Sequence, residues 1–231
     1  MAAAVDAAVR AGVDWIQIRE REFDGATLLR FAGELCDVAR RAALTRDGSV
    51  KILMNRRIDV ALAIGADGAH LGFDAVAPQD AAAILGVRRR RVGTAEAERV
   101  GCAEEEERVS VNAVDVENGD DGDGRPAALI GVSAHSAEDV AAAARGGASY
   151  AHLAPIWPPL SKSGTRPAIG LAAVEAAARR GLPLLAQGGV RPDLCAAALA
   201  AGAAGVAVTG DILMAEDPGR AAAALRAALD R

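Results

Sequence analysis

The sequence predicts an α/β protein of the (β/α)8 TIM-barrel type, and three observations carry that expectation. Short apolar runs of strand length alternate with Ala-rich stretches of helical spacing along most of the chain. The runs are nearly continuous in Val, Ile, Leu and Ala, as strands covered on both faces require. Each run also ends in glycine or polar residues, and in such folds the loops that follow the strands carry the chemistry.

Taken in order, Met1–Ala11 reads as a helix, because Val5, Val9 and Val13 share one face and Gly12 supplies a stop. Trp15–Ile18 is a buried strand whose end carries Gln17, Arg19 and Arg21. Ala26–Ala43 is a long helix with Leu28, Leu29, Phe31, Leu35 and Val38 as its apolar stripe. Lys51–Met54 is a strand ending at Asn55, Arg57–Ile64 a short helix closed by Gly65, and Gly68–Leu71 a strand ending at Gly72–Phe73–Asp74. Pro78–Leu85 is a helix with proline in its first turn.

The rhythm then breaks. Residues 88–127 are charged and rich in Gly and Asp, and they read as a surface insertion. The segment 118–124 (NGDDGDG) offers calcium-type oxygens but lacks the full loop pattern and its closing Glu.

Order resumes at Leu129. The stretch 131–136 (GVSAHS) leads through a helical stretch with Val140, Ala143 and Ala144 into Tyr150–Leu153 and the polar tip containing Ser161 and Lys162. Ser133, His135, Ser161 and Lys162 therefore fall at the C-terminal ends of two successive strands, where site residues collect. Helix Leu171–Arg180, strand Leu184–Ala186, helix Pro192–Ala201, strand Gly205–Val208 and helix Pro218–Leu229 complete the pattern, which counts seven strands. The last two strands end in Gln187–Gly188–Gly189–Val190 and Thr209–Gly210–Asp211–Ile212. Parallel β/α alternation of this length fits a (β/α)8 barrel or a doubly wound sheet. The paired glycine turns ahead of helices favour the barrel, pointing to a phosphate-binding site at Gln187, Gly188, Gly189, Thr209 and Gly210, built on backbone N–H groups.

With 231 residues, 52% of them hydrophobic, the chain can bury one large core, so 1–231 reads as a single barrel domain carrying the 88–127 insertion. Aromatics make up only 3%, which leaves the core to Ala, Val, Leu and Ile. A net charge of −5 excludes a general nucleic-acid binder, and the basic run Arg88–Arg91 is offset by Glu104–Glu107. Cys36, Cys102 and Cys195 match no metal or redox spacing. No signal-peptide pattern opens the chain, and no apolar run approaches the roughly 20 residues of a membrane span. The expectation is a cytoplasmic protein with no membrane and no nucleic-acid partner, acting on a small phosphorylated molecule; association into a homo-oligomer stays open.

Five blocks carry a resemblance to a known family: 12–21 (GVDWIQIRER), 52–72 (ILMNRRIDVALAIGADGAHLG), 131–136 (GVSAHS), 154–171 (APIWPPLSKSGTRPAIGL) and 183–190 (PLLAQGGV). Together they resemble thiamine phosphate synthase and its relative, the thiazole tautomerase TenI, from about Ala8 to Leu229. The resemblance implies a barrel acting on hydroxyethylthiazole phosphate. In the synthase, a pyrimidine pyrophosphate loses its pyrophosphate and the thiazole nitrogen attacks. By similarity Gln17, Arg19, Arg21, Asn55, Ser133 and Lys162 would contact the leaving group, with Mg²⁺ as cofactor. The position after Asn55, a metal aspartate in the family, is Arg56 here; the second metal position is Ala75, next to Asp74. Two pyrophosphate-loop threonines are Pro159 and Ser161.

These departures, with the IRER and MNRRID blocks, make TenI-like tautomerisation without a metal the expected reaction. His135 would be its acid/base, since imidazole titrates near neutrality, with Lys162 and Arg19 holding the anion. The alternatives are the synthase itself, with Asp74 as metal ligand, and a barrel that binds its ligand without catalysis. His70 and His152, inside strands, are expected to be interior residues. Family members begin with a strand ahead of the first helix, which is not found in this chain; Val109–Val116, with its alternating pattern, is the candidate to replace it.

Overall fold

The computed structural model describes residues 1–46, 48–72, 75–86, 128–158 and 167–231. The 88–127 insertion (with the candidate strand Val109–Val116), Lys162, Ser161 and Asp74 lie outside the described residues. The elements follow in strict alternation: α1 (Ala2–Arg10), β1 (Trp15–Ile18), α2 (Gly25–Leu44), β2 (Lys51–Asn55), α3 (Ile58–Ala63), β3 (Gly68–Leu71), α4 (Pro78–Ile84) and β4 (Leu129–Ala134). Then come α5 (Ala137–Arg145), β5 (Tyr150–Leu153), α6 (Gly170–Ala178), β6 (Leu184–Gln187), α7 (Pro192–Ala200), β7 (Gly205–Ala207), α8 (Gly210–Leu213) and α9 (Pro218–Leu229).

Among the described residues seven strands pair in parallel, in sequence order. Because side chains alternate across a strand, each strand feeds two layers. Ile52, Met54, Ala69, Leu71, Ile130, Val132, Ala151, Leu153, Leu184 and Ala186 face the helices and form the main core with them. The intervening residues Leu53, Leu129, Tyr150 and Leu185 pack with Trp15 and Ala207 on the inner face. Trp15 of β1 meets Tyr150 of β5 edge to face at a centroid distance of 4.8 Å. Strands four places apart in the sheet touch only if the sheet curls, so the inner face is concave.

Helix ends follow from local chemistry. Asp24 caps α2 by accepting from Thr27 N–H (2.9 Å), and Ser136 caps α5 by accepting from Asp139 N–H (3.1 Å). Proline occupies the first turn of α4, α7 and α9. Gly12, at φ 105°, lets the chain leave α1 for β1, and a side chain there would also meet Arg226 Cγ at 3.0 Å.

Among the described residues no ladder joins β7 to β1. Helices α1 and α9 pack across this opening, and Arg226 of α9 donates to Asp14, just ahead of β1, at 2.9 Å. A cavity of about 560 Å³ lies between the two unpaired edges and reaches the inner face. The short helix α8 was not expected from sequence; its four residues are too few to show a periodicity.

Candidate functional site

The C-terminal ends of the strands form a mouth, and register decides which side chains meet there. Ile18 pairs with Met54, so Arg19 and Asn55 stand at the ends of neighbouring strands. Asn55 pairs with His70, His70 with Gly131, and Ser133 with His152. Gln187 of β6 sits beside Ala207 of β7, which leads to Thr209 and Gly210. Gln17, Arg19, Gln187 and Thr209 line one cavity together with Leu53 and His152. Asn55, Ser133, His135, Gly188, Gly189 and Gly210 lie at strand ends around it without lining it, and Arg21 is exposed beyond β1.

Cationic charge gathers on one side of this mouth. Packing around Arg19 lowers its pKa, and the like charges of Arg21 and Arg56 lower it further. Arg56 takes a left-handed φ of 66° and its N–H donates to His70 O at 2.8 Å, so the chain turns sharply as it leaves β2.

Beneath the mouth lies a polar cluster inside the sheet. His70 Nδ1 is 3.1 Å from Tyr150 Oη and its Nε2 is 3.0 Å from Ser133 Oγ. The His152 ring lies 4.3 Å from the His70 ring, centroid to centroid. Both histidines are buried, at 2% and 6% exposure, as the sequence led one to expect. Burial, then the neighbouring His152 and Arg19, hold His70 neutral with its pKa pushed down to about 2; burial alone takes His152 down to about 4. Burial likewise raises the Tyr150 phenol far above its ordinary value.

In the sequence Tyr150 stands only as the first residue of a strand. The signal that would have found it is its partner: Gly131 pairs with Tyr150, and a Cβ at Gly131 would overlap Tyr150 Cζ and Oη. Glycine opens the space through which the phenol reaches His70. Gly131→Ala is therefore expected to cost about 2 kcal/mol of stability, the usual scale of overpacking, read as a lowered urea midpoint with an unchanged m value.

His135, one residue past β4, places Nδ1 2.6 Å from Ala154 O. A carbonyl only accepts, so Nδ1 carries the proton, and in the neutral ring Nε2 is the basic nitrogen. The glycine turn after β6 has a packing reason besides any anion. Gly188 has φ 92°, and a Cβ there would stand 2.8 Å from Pro155 Cβ; one at Gly189 would stand 2.6 Å from Pro158 O. This turn and the loop after β5 are laced together by Ile156 N–H to Gln187 O (2.9 Å) and Trp157 N–H to Gly188 O (3.1 Å).

Comparison with known proteins settles the family. The family model described as thiamine monophosphate synthase matches residues 1–116 and 123–212. The chain belongs to the thiamine monophosphate synthase family. A thiamine-phosphate synthase of Roseiflexus castenholzii is 32% identical over 222 residues, 96% of this chain and 78% of that protein. One from Salinispora tropica is 35% identical over 195 residues, 84% and 75% of the two chains. The solved thiamine phosphate pyrophosphorylase of Pyrococcus furiosus superposes with a TM-score of 0.72 at 23% identity, over 99% of this chain and 89% of its own. That superposition establishes a TIM-barrel-like fold, and the family is one of enzymes. The relatives' names favour the synthase over the tautomerase expected from the Arg56 and Ala75 departures.

A hard divalent cation wants carboxylate or carbonyl oxygen. Asn55, Arg56, Arg19 and Ser133 give one amide, two guanidinium groups and a hydroxyl, and among the described residues no cluster of three His, Cys, Asp or Glu is suited to a metal. The described residues of this synthase-family mouth do not fit Mg²⁺, and Asp74 lies outside them. Among the described residues no helix is long and apolar enough to cross a membrane.

Proposed function

We propose that this protein joins hydroxymethylpyrimidine pyrophosphate to hydroxyethylthiazole phosphate, giving thiamine phosphate and releasing pyrophosphate. The observation that carries this reading is the mouth where Gln17, Arg19 and Thr209 line one cavity, and where the charges of Arg21 and Arg56 act on Arg19. In the reaction the bond between the pyrimidine methylene carbon and the pyrophosphate oxygen breaks, and its electron pair leaves with the oxygen. The thiazole nitrogen then donates its lone pair to that carbon, so no proton has to move. The barrier is dominated by charge appearing on the leaving pyrophosphate, and fixed cations aimed at it lower that barrier.

Arg19, Arg21 and Arg56 supply that charge in this reading, and the Gln17 and Asn55 amides and the Ser133 hydroxyl add donors. The glycine turns Gly188–Gly189 and Thr209–Gly210 seat the thiazole phosphate, and Gln187 orients it from the cavity wall. Lys162 and Ser161, which lie outside the described residues, would add a cation and a hydroxyl to the anion site by the resemblance.

A second reading, tautomerisation of a thiazole carboxylate phosphate, is favoured by the His135–Ala154 contact, which leaves Nε2 as the basic nitrogen. One assay separates the two. The purified protein is offered both substrates together, then each alone, and then the thiazole carboxylate phosphate. Thiamine phosphate formed only when both substrates are present is the expected result. Ring aromatisation without thiamine phosphate would overturn the synthase reading in favour of the second. Run with and without Mg²⁺, the same assay decides whether Asp74 completes a metal site that the described residues do not build.

A further inference from the structure

The cluster His70–Tyr150–Ser133 has two proton arrangements, and burial chooses between them. In one, Tyr150 O–H donates to His70 Nδ1, and His70 Nε2–H donates to Ser133 Oγ. In the other, His70 Nδ1–H donates to Tyr150 Oη, and Ser133 O–H donates to Nε2. Among the described residues His70 Nδ1 is the one hydrogen-bond partner of Tyr150 Oη, and Tyr150 is 0% exposed. The second arrangement leaves the phenolic proton buried with no acceptor, a cost of about 1–3 kcal/mol. The first leaves no donor unpaired in the interior, because the released proton is that of Ser133, which is only half-buried at the mouth.

We propose that Tyr150 is a positioning residue: its hydroxyl locks His70 as the Nε2–H tautomer, and His70 thereby turns Ser133 into a hydrogen-bond donor toward the anion held at the mouth. The inference rests on the synthase reading for the identity of that anion, not for the proton order. Tyr150 itself touches no substrate; it acts through two hydrogen bonds and the width that Gly131 leaves for its ring. His70 stays neutral throughout: its pKa is far below neutrality, with His152 and Arg19 as the titratable or charged groups acting on it.

The test is nitrogen-15 NMR of the histidine rings in the intact chain, combined with titration of inorganic pyrophosphate, the anion that the synthase reading places at Ser133. In the wild type His70 is expected as the Nε2–H tautomer at every pH at which the protein is folded. Ser133→Ala, which removes the other partner, leaves that tautomer unchanged. Tyr150→Phe, which keeps the ring's volume, releases it to a mixture and weakens binding of pyrophosphate about tenfold, the scale of one charge-assisted hydrogen bond. In a Ser133→Ala background the Tyr150→Phe change costs no further affinity. A merely structural tyrosine would weaken binding equally in both backgrounds and leave the tautomer where it was.

An Nδ1–H tautomer in the wild type overturns the proposal, and so does a Tyr150→Phe protein whose His70 is unaltered. If the folded wild type does not bind pyrophosphate at all, the proposed function fails. The tautomer measured in wild type, Ser133→Ala and Tyr150→Phe proteins then decides the role of Tyr150 without any ligand.

Discussion

Brought from neutral pH into mild acid, the protein is expected to lose stability steeply, starting below about pH 6.5. The cause is the pair of buried imidazoles. In the unfolded chain His70 and His152 take up protons at the ordinary value of 6.5, whereas in the folded state they stay neutral down to about 2 and about 4. Below 6.5 the unfolded state therefore binds more protons, and stability falls with falling pH. The contribution is fully present above 6.5. It is lost through both groups down to about 4, and through His70 alone below that.

Each group adds a slope approaching about 1.4 kcal/mol per pH unit. Between about pH 7 and pH 5.5 the two together remove about 2 kcal/mol, a large share of a typical domain's 5–15 kcal/mol. Urea unfolding at a series of pH values measures it. His152→Gln should halve the slope between about pH 6 and pH 5, because one proton of the two is gone. A stability that stays level from pH 7 to about pH 5 would mean that the histidines are hydrated in solution. Carboxylates such as Asp24 and Asp59, held below their ordinary 3.8 by their hydrogen bonds, act only at lower pH and do not confuse the window.

Most of the fold was legible in the sequence because it is written in local patterns. Continuous apolar runs marked strands covered on both faces, and the residue types at their ends located the mouth. Boundaries moved by one or two residues, as at α6, which starts at Gly170 rather than Leu171, and at β7, which ends at Ala207 rather than Val208. The polar cluster was not legible, for a physical reason. His70 and Tyr150 are 80 residues apart, and their contact depends on the register of three strands and on a missing side chain at Gly131. Nothing in the sequence around either residue encodes that meeting.

The glycines of the loop after β6 show the opposite case. Their pattern in the sequence predicts an anion cradle, yet the approach of Pro155 and Pro158 already requires glycine there. One composition can thus answer to packing, to binding, or to both, and only an anion titration separates them. Arg56 is a third case. Its charge argued from sequence for a tautomerase, while the relatives' names argue for a synthase. A guanidinium at a position where the family holds an aspartate is compatible with both, since it too answers the charge of a phosphate.

Arg19→Ala is expected to lower kcat/KM for thiamine phosphate formation by about 10²–10³-fold, the usual loss when one preorganised donor is removed from developing negative charge. Arg19 follows β1 beside the end of β2 at Asn55, lines the cavity with Gln17 and Gln187, and lies near enough to Arg21 and Arg56 for their charge to lower its pKa. Like charges held at one mouth repel each other until an anion binds. Removing one of them should leave the ligand-free protein as stable as the wild type or slightly more so, while activity collapses. That pairing of outcomes separates a binding arginine from a structural one. Inorganic pyrophosphate supplies a second readout without turnover: it should raise the melting temperature of the wild type, less so at high salt, and hardly at all in Arg19→Ala. Arg19→Lys should recover only part of the activity, because an ammonium keeps the charge but loses the planar fork that grips two phosphate oxygens at once. An Arg19→Ala protein with kcat/KM close to wild type, or one that pyrophosphate still stabilises in full, would move the anion site away from β1 and leave the remaining donors of the mouth to account for it.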